Sequence, residues 1–217
     1  GETMKLLGSA LELRHAKPKN VFGGPCKDIV QHFNTEHRTS SKLPTLLDLP
    51  IQKCWPKDGG RFITLPCVVT QDPDTGARNL GMYRMQVYDT QTTGMHWQLQ
   101  KVAARHGKRY YERRERMPVS VFLGGDPVYP FCATAPLPDG LDEFLLAGYL
   151  RKKSVPLVKC ETNDLQVPAN ADIVIEGYVD TNEDLRDEGP FGDHTGYYTL
   201  PEKYPAFHIT AITRRKD

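Results

Sequence analysis

Proline and glycine are spread along the whole chain, and this distribution is the strongest constraint on its fold. The 217 residues include 17 prolines and 18 glycines, and no tract concentrates them. Because both residues mark turns, the spacing is typical of a strand-rich globular protein that is long enough to bury a core. Apolar runs between the turns predict six strands, at 62–69, 80–87, 119–123, 155–159, 173–179 and 207–213.

The connections between these runs indicate the fold class. Residues 72–76, Asp-Pro-Asp-Thr-Gly, predict the turn of a hairpin between the first two strands. A helix is predicted over 96–116, interrupted or ended near Gly107, and a second over 141–150. Six strands with two helices predict an α+β fold with a closed or split antiparallel barrel, because βαβ repeats would need more helices.

The second helix carries an apolar stripe at four-residue spacing, formed by Leu141, Leu145 and Tyr149. Glu143 lies off this stripe and is expected to be solvated.

The first 50 residues differ from the rest in their pattern of residue types. Weak helix signals alternate there with basic and polar stretches, and a Pro- and Leu-rich segment follows at 43–50. We predict an N-terminal appendage and linker at 1–50 and a strand-rich domain at 51–217. The last predicted strand continues directly into Arg-Arg-Lys-Asp at 214–217, which fits a chain cut from a longer protein.

The charge pattern argues against polyanionic partners. Twenty-eight Lys and Arg residues against 27 acidic residues leave a net charge of +1, so no long-range field attracts nucleic acid. The basic run at 108–116 is interrupted by Glu112 and Glu115, which favours a solvated helix face over a nucleic-acid contact.

Cysteine spacing and hydropathy point to a cytoplasmic enzyme or binding module. Five widely spaced cysteines without a Cys-x-x-Cys pair argue against a disulfide framework and a zinc ribbon. No run approaches the roughly 20 apolar residues of a membrane span. We therefore expect a cytoplasmic protein with no integral membrane segment.

The sharpest local signal is a loop with two acids. Glu188 and Asp193 flank Gly-Pro-Phe-Gly, a composition that turns the backbone and can bring both acids to one side. Paired carboxylates in unequal environments commonly yield one protonated and one ionised acid. From spacing alone, a surface loop capped by Asp193 is the favoured alternative.

A second candidate is the strand segment at 79–86. Period-two alternation places Arg84 beside Met82 and Gln86 on one face, where an arginine can clamp a carboxylate or phosphate. An arginine that protects an edge strand from pairing is an equally good interpretation. His96, His106 and His194 form no i, i+4 ligand pair, which argues against a zinc hydrolase.

Several segments together closely resemble the UbiD decarboxylase family in order and spacing. They are Asn-Leu-Gly-Met-Tyr-Arg-Met-Gln at 79–86, Val-Ser-Val-Phe-Leu-Gly-Gly-Asp-Pro at 119–127, Leu-Val-Lys-Cys at 157–160 with Leu-Gln-Val-Pro-Ala at 165–169, and Glu-Gly-Pro-Phe-Gly-Asp-His-Thr-Gly-Tyr-Tyr at 188–198. The resemblance covers roughly 50–217 and implies a split antiparallel β-barrel related to flavin reductases. It also implies prenylated FMN as cofactor, with a divalent metal, usually manganese, and a potassium ion.

The resemblance assigns ligand roles by position. Asn79 and Glu143 would be metal ligands that tie down the flavin phosphate, and Lys101 would face that phosphate. The residues that would line the flavin are Met82, Tyr83, Arg84, His96, Trp97, Gln98 and Lys101.

Arg84, Glu188 and Asp193 match the catalytic trio of the family. The resemblance implies that the substrate bonds to the modified flavin, loses CO2 into that electron sink and is then protonated. Asp193 would donate this proton, with its pKa raised by an apolar pocket. Arg84 would orient the substrate carboxylate and pair with Glu188.

The chain departs from the family in two places. Many relatives have His-Lys-Gly-Gly or His-Arg-Gly-Gly where this chain has Gln-Lys-Val-Ala at 100–103, so a histidine metal ligand is missing. The long C-terminal domain, which helps to close the active site and to form the homo-oligomer, is also missing. We therefore expect this fragment to be inactive by itself.

The predicted function is reversible, non-oxidative decarboxylation of an aromatic or α,β-unsaturated carboxylic acid. The Gly-Asp-His-Thr-Gly-Tyr-Tyr ending of the loop is similar to the branch that acts on 3-polyprenyl-4-hydroxybenzoate in ubiquinone synthesis. A separate flavin prenyltransferase would supply the cofactor. The alternatives are a flavin-binding split-barrel module without decarboxylase activity and a purely structural or partner-binding fragment.

Overall fold

The computed structural model describes residues 16–33, 45–97, 102–138 and 140–217. Its helices are α1 (Val102–Arg113), α2 (Val128–Ala133) and α3 (Glu143–Arg151). Its strands are β1 (Lys19–Val21), β2 (Ile29–His32), β3 (Phe62–Ile63), β4 (Cys67–Gln71), β5 (Arg78–Met82), β6 (Met85–Gln86), β7 (Thr92–Gly94), β8 (Met117–Leu123), β9 (Pro156–Lys159), β10 (Gln166–Pro168), β11 (Ile173–Val179), β12 (Arg186–Glu188), β13 (Phe191–Gly192), β14 (Tyr198–Thr199), β15 (Glu202–Tyr204) and β16 (Ala206–Arg214).

An antiparallel seven-stranded sheet forms the centre of the molecule. Its order is β2-β16-β11-β8-β4-β5, and β7 pairs with the first residues of β16. β4 and β5 form the predicted hairpin around residues 72–76. The sheet and the few helices confirm the predicted α+β class.

Both faces of this sheet are buried, which explains the continuous apolar runs in its strands. Val68, Val121 and Ile175 face one hydrophobic cluster, together with Tyr110 from α1. Their sequence neighbours, such as Val69 and Phe122, face a second cluster that α2 and α3 cover. Adjacent residues of a strand therefore pack into two different cores, as the alternation of a strand requires.

The pairing does not close the sheet into a barrel within the described residues, since β5 pairs with β4 alone and β2 with β16 alone. The chain nevertheless curls back after β5. β6 begins at Met85 and pairs with β3, Val87 bridges to Thr93, and β7 pairs with β16. The segment from β5 to β7 therefore leads from one edge of the sheet back to its other side.

The predicted strand over 80–87 is broken at Tyr83 and Arg84, so its simple alternation of faces is wrong. Tyr83 turns inward to join the core, and its ring folds back over Gly81, where any side chain would overlap it. β6 then pairs with β3 instead of β4. The break separates Arg84 from the regular ladder.

The prediction that the helix over 96–116 is interrupted or ends near Gly107 is also wrong. α1 runs unbroken from Val102 to Arg113. A glycine in a helix interior costs only about 1 kcal/mol relative to alanine. Here Gly107 is buried against Trp97, whose ring would lie 3.4 Å from an added Cβ atom, so its small size lets the two elements pack closely.

Helix α3 buries a different face from the predicted stripe. Leu141 and Tyr149 are exposed, whereas Phe144 and Ala147 are fully buried. Leu141 lies before the helix because Asp142 is the N-cap, with its carboxylate accepting from the Phe144 amide at 2.9 Å. The prediction that Glu143 is solvated is wrong as well, since its exposed fraction is 9%.

The N-terminal residues contribute strands to two sheets. β1 pairs in parallel with β9, which also pairs with β10, and β2 pairs with β16 in the central sheet. The two-part division at residue 50 stays a prediction, but residues 19–32 are hydrogen-bonded to strands far along the chain.

A buried carboxylate fixes this N-terminal stretch to the central sheet. Glu176 lies at a bulge of β11, is fully buried and accepts from the Lys27 ammonium at 3.1 Å. The backbone amides of Glu161 and Thr162 donate to the same carboxylate at 2.9 and 2.8 Å. Burial lowers the pKa of Lys27, but the neighbouring acids outweigh it and leave this pKa raised. The ammonium group is therefore charged.

All five cysteines are free thiols, which agrees with the expected absence of a disulfide framework. Among the helices described here, none is long and apolar enough to cross a membrane.

We expect Glu176→Ala to lower the free energy of unfolding by about 3–5 kcal/mol, because the amides of Glu161 and Thr162 would lose their acceptor and Lys27 would keep only the partly exposed Glu161, at 3.0 Å, as its counter-charge. Urea unfolding measures this loss. Asp164→Ala is the matched control, because it removes an exposed carboxylate that lies 2.6 Å from Lys159. It should cost about 1 kcal/mol or less. Equal losses in the two variants would contradict the role of Glu176.

Candidate active site

One large cleft brings together residues that were predicted separately from three parts of the sequence. Its volume is about 1230 Å³, and Arg84, His96, Trp97 and Asp193 line it. Tyr111, Leu185, Leu200 and Pro205 add apolar surface. A concave site with apolar walls and a few convergent polar groups is the usual form of a small-molecule site.

Arg84 and Glu188 form a bidentate ion pair in this cleft. Arg84 Nε donates to Glu188 Oε1 at 2.8 Å, and Nη2 donates to Oε2 at 3.0 Å. Nη2 also lies 3.3 Å from the Thr199 hydroxyl. This geometry confirms the predicted contact between Arg84 and Glu188, and it excludes the edge-strand role as the explanation of Arg84.

The pair is held in place by burial and by an aromatic ring. Glu188 is fully buried, and the guanidinium carbon of Arg84 lies 4.4 Å from the ring centroid of Phe191. Burial raises the pKa of Glu188, but hydrogen bonds from His96 and Arg84 and their charges outweigh it, so that this pKa is lowered. Glu188 is therefore an ionised carboxylate inside the protein.

The acid loop is a small hairpin that neighbouring elements anchor. β13 and β14 pair across a turn in which the Asp193 amide donates to the Tyr197 carbonyl at 3.0 Å. Asp58 accepts from the amides of Gly192 and Trp55 at 2.7 and 2.9 Å. The Gly189 amide donates to Gln86 at 2.7 Å. Asp58 was not among the predicted site residues, although Asp-Gly-Gly at 58–60 is a turn signal.

Asp193 lines the cleft from the tip of this hairpin, but its predicted raised pKa is wrong. Desolvation acts to raise the pKa of Asp193, yet hydrogen bonds from Thr195 and His194 and the charge of His194 lower it overall. The His194 Nδ1 atom lies 3.1 Å from the carboxylate. The side chain remains 26% exposed, so solvent favours the charged form.

Asn79 and Glu143 lie together, outside the cleft lining. Glu143 Oε2 accepts from the backbone amide of Leu80, the residue after Asn79, at 2.8 Å. Burial raises the pKa of Glu143 to about 7 against the lowering effect of this hydrogen bond. Asn79 is 4% exposed, and within the described part of the chain its amide nitrogen has no hydrogen-bond partner.

The side chains of these two residues are suitable ligands for a divalent metal, but two ligands do not complete a metal site. A carboxylate and an amide oxygen are donors of the kind that hard cations prefer. A buried carboxylate with a raised pKa also lacks the counter-charge that a cation would supply. No group of three His, Cys, Asp or Glu side chains suited to a metal occurs within the described ranges, so the third ligand stays unassigned.

The remaining predicted flavin contacts are divided between core and cleft. Tyr83 is buried in the core, and Met82 is half-buried and does not line the cleft. Trp97 does line it, and its buried indole Nε1 has no partner among the described residues. An oxygen acceptor on a bound ligand would satisfy this donor. Gln98 and Lys101 lie outside the described residues.

Comparison with known proteins places this chain in a class of carboxy-lyase domains. Residues 27–217 match the family model described as the 3-octaprenyl-4-hydroxybenzoate carboxy-lyase Rift-related domain. The chain belongs to the UbiD family.

Individual relatives give the same result. A protein of Archaeoglobus fulgidus is 49% identical over 217 residues, which are 100% of this chain and 42% of that protein. The evolved dimeric form of the UbiD-class enzyme HmfF from Pelotomaculum thermopropionicum, solved in complex with prFMN, has a TM-score of 0.85 at 29% identity, over 95% of this chain and 47% of that chain. Vanillic acid decarboxylase of Sedimentibacter hydroxybenzoicus in its closed form has a TM-score of 0.83 at 27% identity, over 95% and 44%. The chain therefore spans less than half the length of these relatives.

The lowered pKa of Glu188 predicts a specific pH dependence of stability. A carboxyl whose pKa is lower in the folded chain stabilises it fully above its unfolded pKa of about 4.3, and this contribution is lost as the pH falls through the folded pKa. The free energy of unfolding should therefore fall below about pH 4, and Glu188→Gln should remove the part of this decrease that Glu188 causes. It should also destabilise the chain at pH 7 by about 3–5 kcal/mol, since Arg84 loses its partner.

Urea unfolding between pH 3 and pH 7 tests this expectation. Asp187→Asn is the control, because Asp187 is the adjacent acid and is 71% exposed. If the free energy of unfolding falls equally at low pH in Glu188→Gln and in the unsubstituted chain, Glu188 is not the group that causes the decrease.

Proposed function

We propose that this chain is the cofactor-binding part of a decarboxylase that uses prenylated FMN. It would act reversibly and without net oxidation on an aromatic or α,β-unsaturated carboxylic acid. The observation that carries the proposal is the bidentate contact between Arg84 and the buried Glu188 at the wall of a 1230 Å³ cleft. Family membership supports the same reaction class.

Arg84 would bind and orient the substrate carboxylate. Guanidinium carries five N–H donors, and Glu188 and Thr199 engage those of Nε and Nη2. Among the described residues, no acceptor engages Nη1, and Arg84 lines the cleft. The N–H groups of Nη1 would then donate charge-assisted hydrogen bonds to an oxygen of the substrate carboxylate.

The cleft supplies groups that fit a flavin. When bound, prenylated FMN would provide the electron sink that loss of CO2 requires. Trp97 would donate its buried indole N–H to a flavin oxygen, and His96 and Arg84 line the same wall. Met82 and Tyr83 would support the flavin site from behind, and Gln98 and Lys101 would complete it.

A split barrel would place this site at the point where the sheet separates. The route from β5 through β6 and β7 back to β16 supports this architecture, and Arg84 lies in the break between β5 and β6. A break in the ladder frees the backbone and aims a side chain into the adjacent space, as bulges do next to active sites.

Asp193 would protonate the product carbon after CO2 leaves. Its pKa is lowered in the described chain, so it must gain its proton in a less solvated setting. Covering the cleft by the rest of an enzyme of the relatives' length would strengthen desolvation, which already acts to raise this pKa. A shift of the pKa in this direction is what the role of proton donor requires.

Asn79 and Glu143 would hold the divalent metal, with manganese as the first candidate and potassium nearby.

We propose 3-polyprenyl-4-hydroxybenzoate as the first substrate to test. A cytoplasmic enzyme of the relatives' length would be a homo-oligomer and would receive its cofactor from a flavin prenyltransferase. The 217-residue chain alone would be inactive.

The metal proposal predicts the behaviour of two variants. Glu143→Gln and Asn79→Ala should each weaken manganese-dependent FMN binding by about 10-fold or more, because hard cations depend on anionic and amide oxygens. Titration of FMN fluorescence with manganese or with chelator measures the effect. Asp126→Asn, which removes a carboxylate bound to Arg151 instead, is the control. Unchanged affinity in both site variants would remove them from the metal site.

The catalytic proposal separates the two acids of the loop. In an enzyme of the relatives' length that contains this chain, Asp193→Asn should retain flavin and substrate binding and lower kcat by about 100-fold or more. Glu188→Gln should impair substrate binding as well, because Arg84 loses its charged partner. Single-turnover CO2 release and solvent-proton exchange into the product distinguish these outcomes. Exchange at the wild-type rate in Asp193→Asn would disprove its role as proton donor.

A further inference from the structure

The carboxylate of Glu188 has a second hydrogen-bond partner besides Arg84. His96 Nδ1 lies 3.1 Å from Oε2, the same oxygen that accepts from Arg84 Nη2 at 3.0 Å. His96 lines the cleft and is 16% exposed, whereas Glu188 is fully buried. Both oxygens of Glu188 are therefore engaged, and one oxygen is shared by two donors.

The imidazole is fixed from two further sides. The His96 backbone amide donates to the Arg84 carbonyl at 3.3 Å, which ties the two residues together directly. The Tyr204 ring lies 4.3 Å from the imidazole, centroid to centroid, and the Tyr204 hydroxyl donates to Glu202 at 2.6 Å. Among the described residues, Glu188, Arg84 and Tyr204 are the titratable groups in contact with His96, and Glu202 lies behind Tyr204.

The ionised state of Glu188 determines which ring nitrogen of His96 carries the proton. An ionised carboxylate only accepts hydrogen bonds, so the proton of the short contact must be on His96 Nδ1. A charge-assisted hydrogen bond at this oxygen restrains the carboxylate in the plane that Arg84 requires. Rotation of Glu188 would break the bidentate geometry and redirect the guanidinium.

We propose that His96 is a positioning residue, whose Nδ1–H holds Glu188 so that Arg84 presents its free edge to the substrate carboxylate. This inference rests on the proposed function and deepens it, because it assigns His96 to the carboxylate-binding unit and not to direct flavin contact. His96 then affects substrate binding indirectly, through Glu188 and Arg84, and does not contact the reacting atoms.

A pair of matched substitutions tests the inference. The amide nitrogen of asparagine superposes on Nδ1 of histidine, whereas that of glutamine reaches towards the Nε2 position. His96→Asn should therefore preserve the contact with Glu188, and His96→Gln and His96→Leu should lose it. All three variants lack a titrating imidazole, so charge alone cannot separate Asn from Gln.

The first measurement needs no catalysis. Carboxyl carbon NMR of Glu188 in the 217-residue chain should show its pKa raised in His96→Gln and His96→Leu, and nearly unchanged in His96→Asn. A Glu188 titration that is the same in all three variants would overturn the proposal. If His96→Leu does not fold, the comparison of Asn with Gln still decides the outcome.

The second measurement uses an enzyme of the relatives' length loaded with prenylated FMN. His96→Gln should raise KM for the carboxylate substrate or lower kcat/KM by about 10-fold, the scale of a lost charge-assisted hydrogen bond, with flavin affinity unchanged. His96→Asn should recover most of this loss. Reduced flavin affinity in both variants would identify His96 as a flavin contact and reject the inference. A wild-type enzyme without turnover, beside the expected NMR result, would reject the proposed function alone.

Discussion

The buried carboxylate of Glu188 is the constraint on which the candidate site depends. A charge removed from water is tolerated only with close counter-charges and hydrogen bonds, and Arg84 and His96 supply them. The requirement extends outward, since Arg84 must leave the strand ladder and His96 must pack against Tyr204. The local irregularities around the cleft can therefore be understood as the conditions for keeping one ionised group inside the protein.

The central sheet provides the rigidity that this arrangement needs. Its strands are buried on both faces, so neighbouring residues pack into separate cores and the register is strongly specified. Glu176 with Lys27 repeats the same principle at a second position, where it joins the N-terminal stretch to β11. The site at Glu188 differs because its ion pair borders a cleft, which leaves one side of the guanidinium for a ligand.

The sequence was most informative where a signal is local. The hairpin of β4 and β5, the strands β8, β9, β11 and β16 and the α+β class follow from alternation and turn residues. The contact between Arg84 and Glu188 came from a family resemblance, because 104 residues separate its partners. Burial of Glu143 was missed since its amide donor lies 63 residues away. The pKa of Asp193 was misjudged because it depends on Thr195 and His194 and on solvent, which no spacing rule describes.

The long separation between partners has a consequence for how the site arises. Arg84 meets Glu188 across 104 residues and His96 meets it across 92, so no local piece of chain contains the site. Closing such loops carries an entropic cost that grows with the logarithm of their length, and contacts of this kind slow folding. The ion pair can exist only where these distant segments of the chain have met. Its presence therefore reports that the native topology between them has formed.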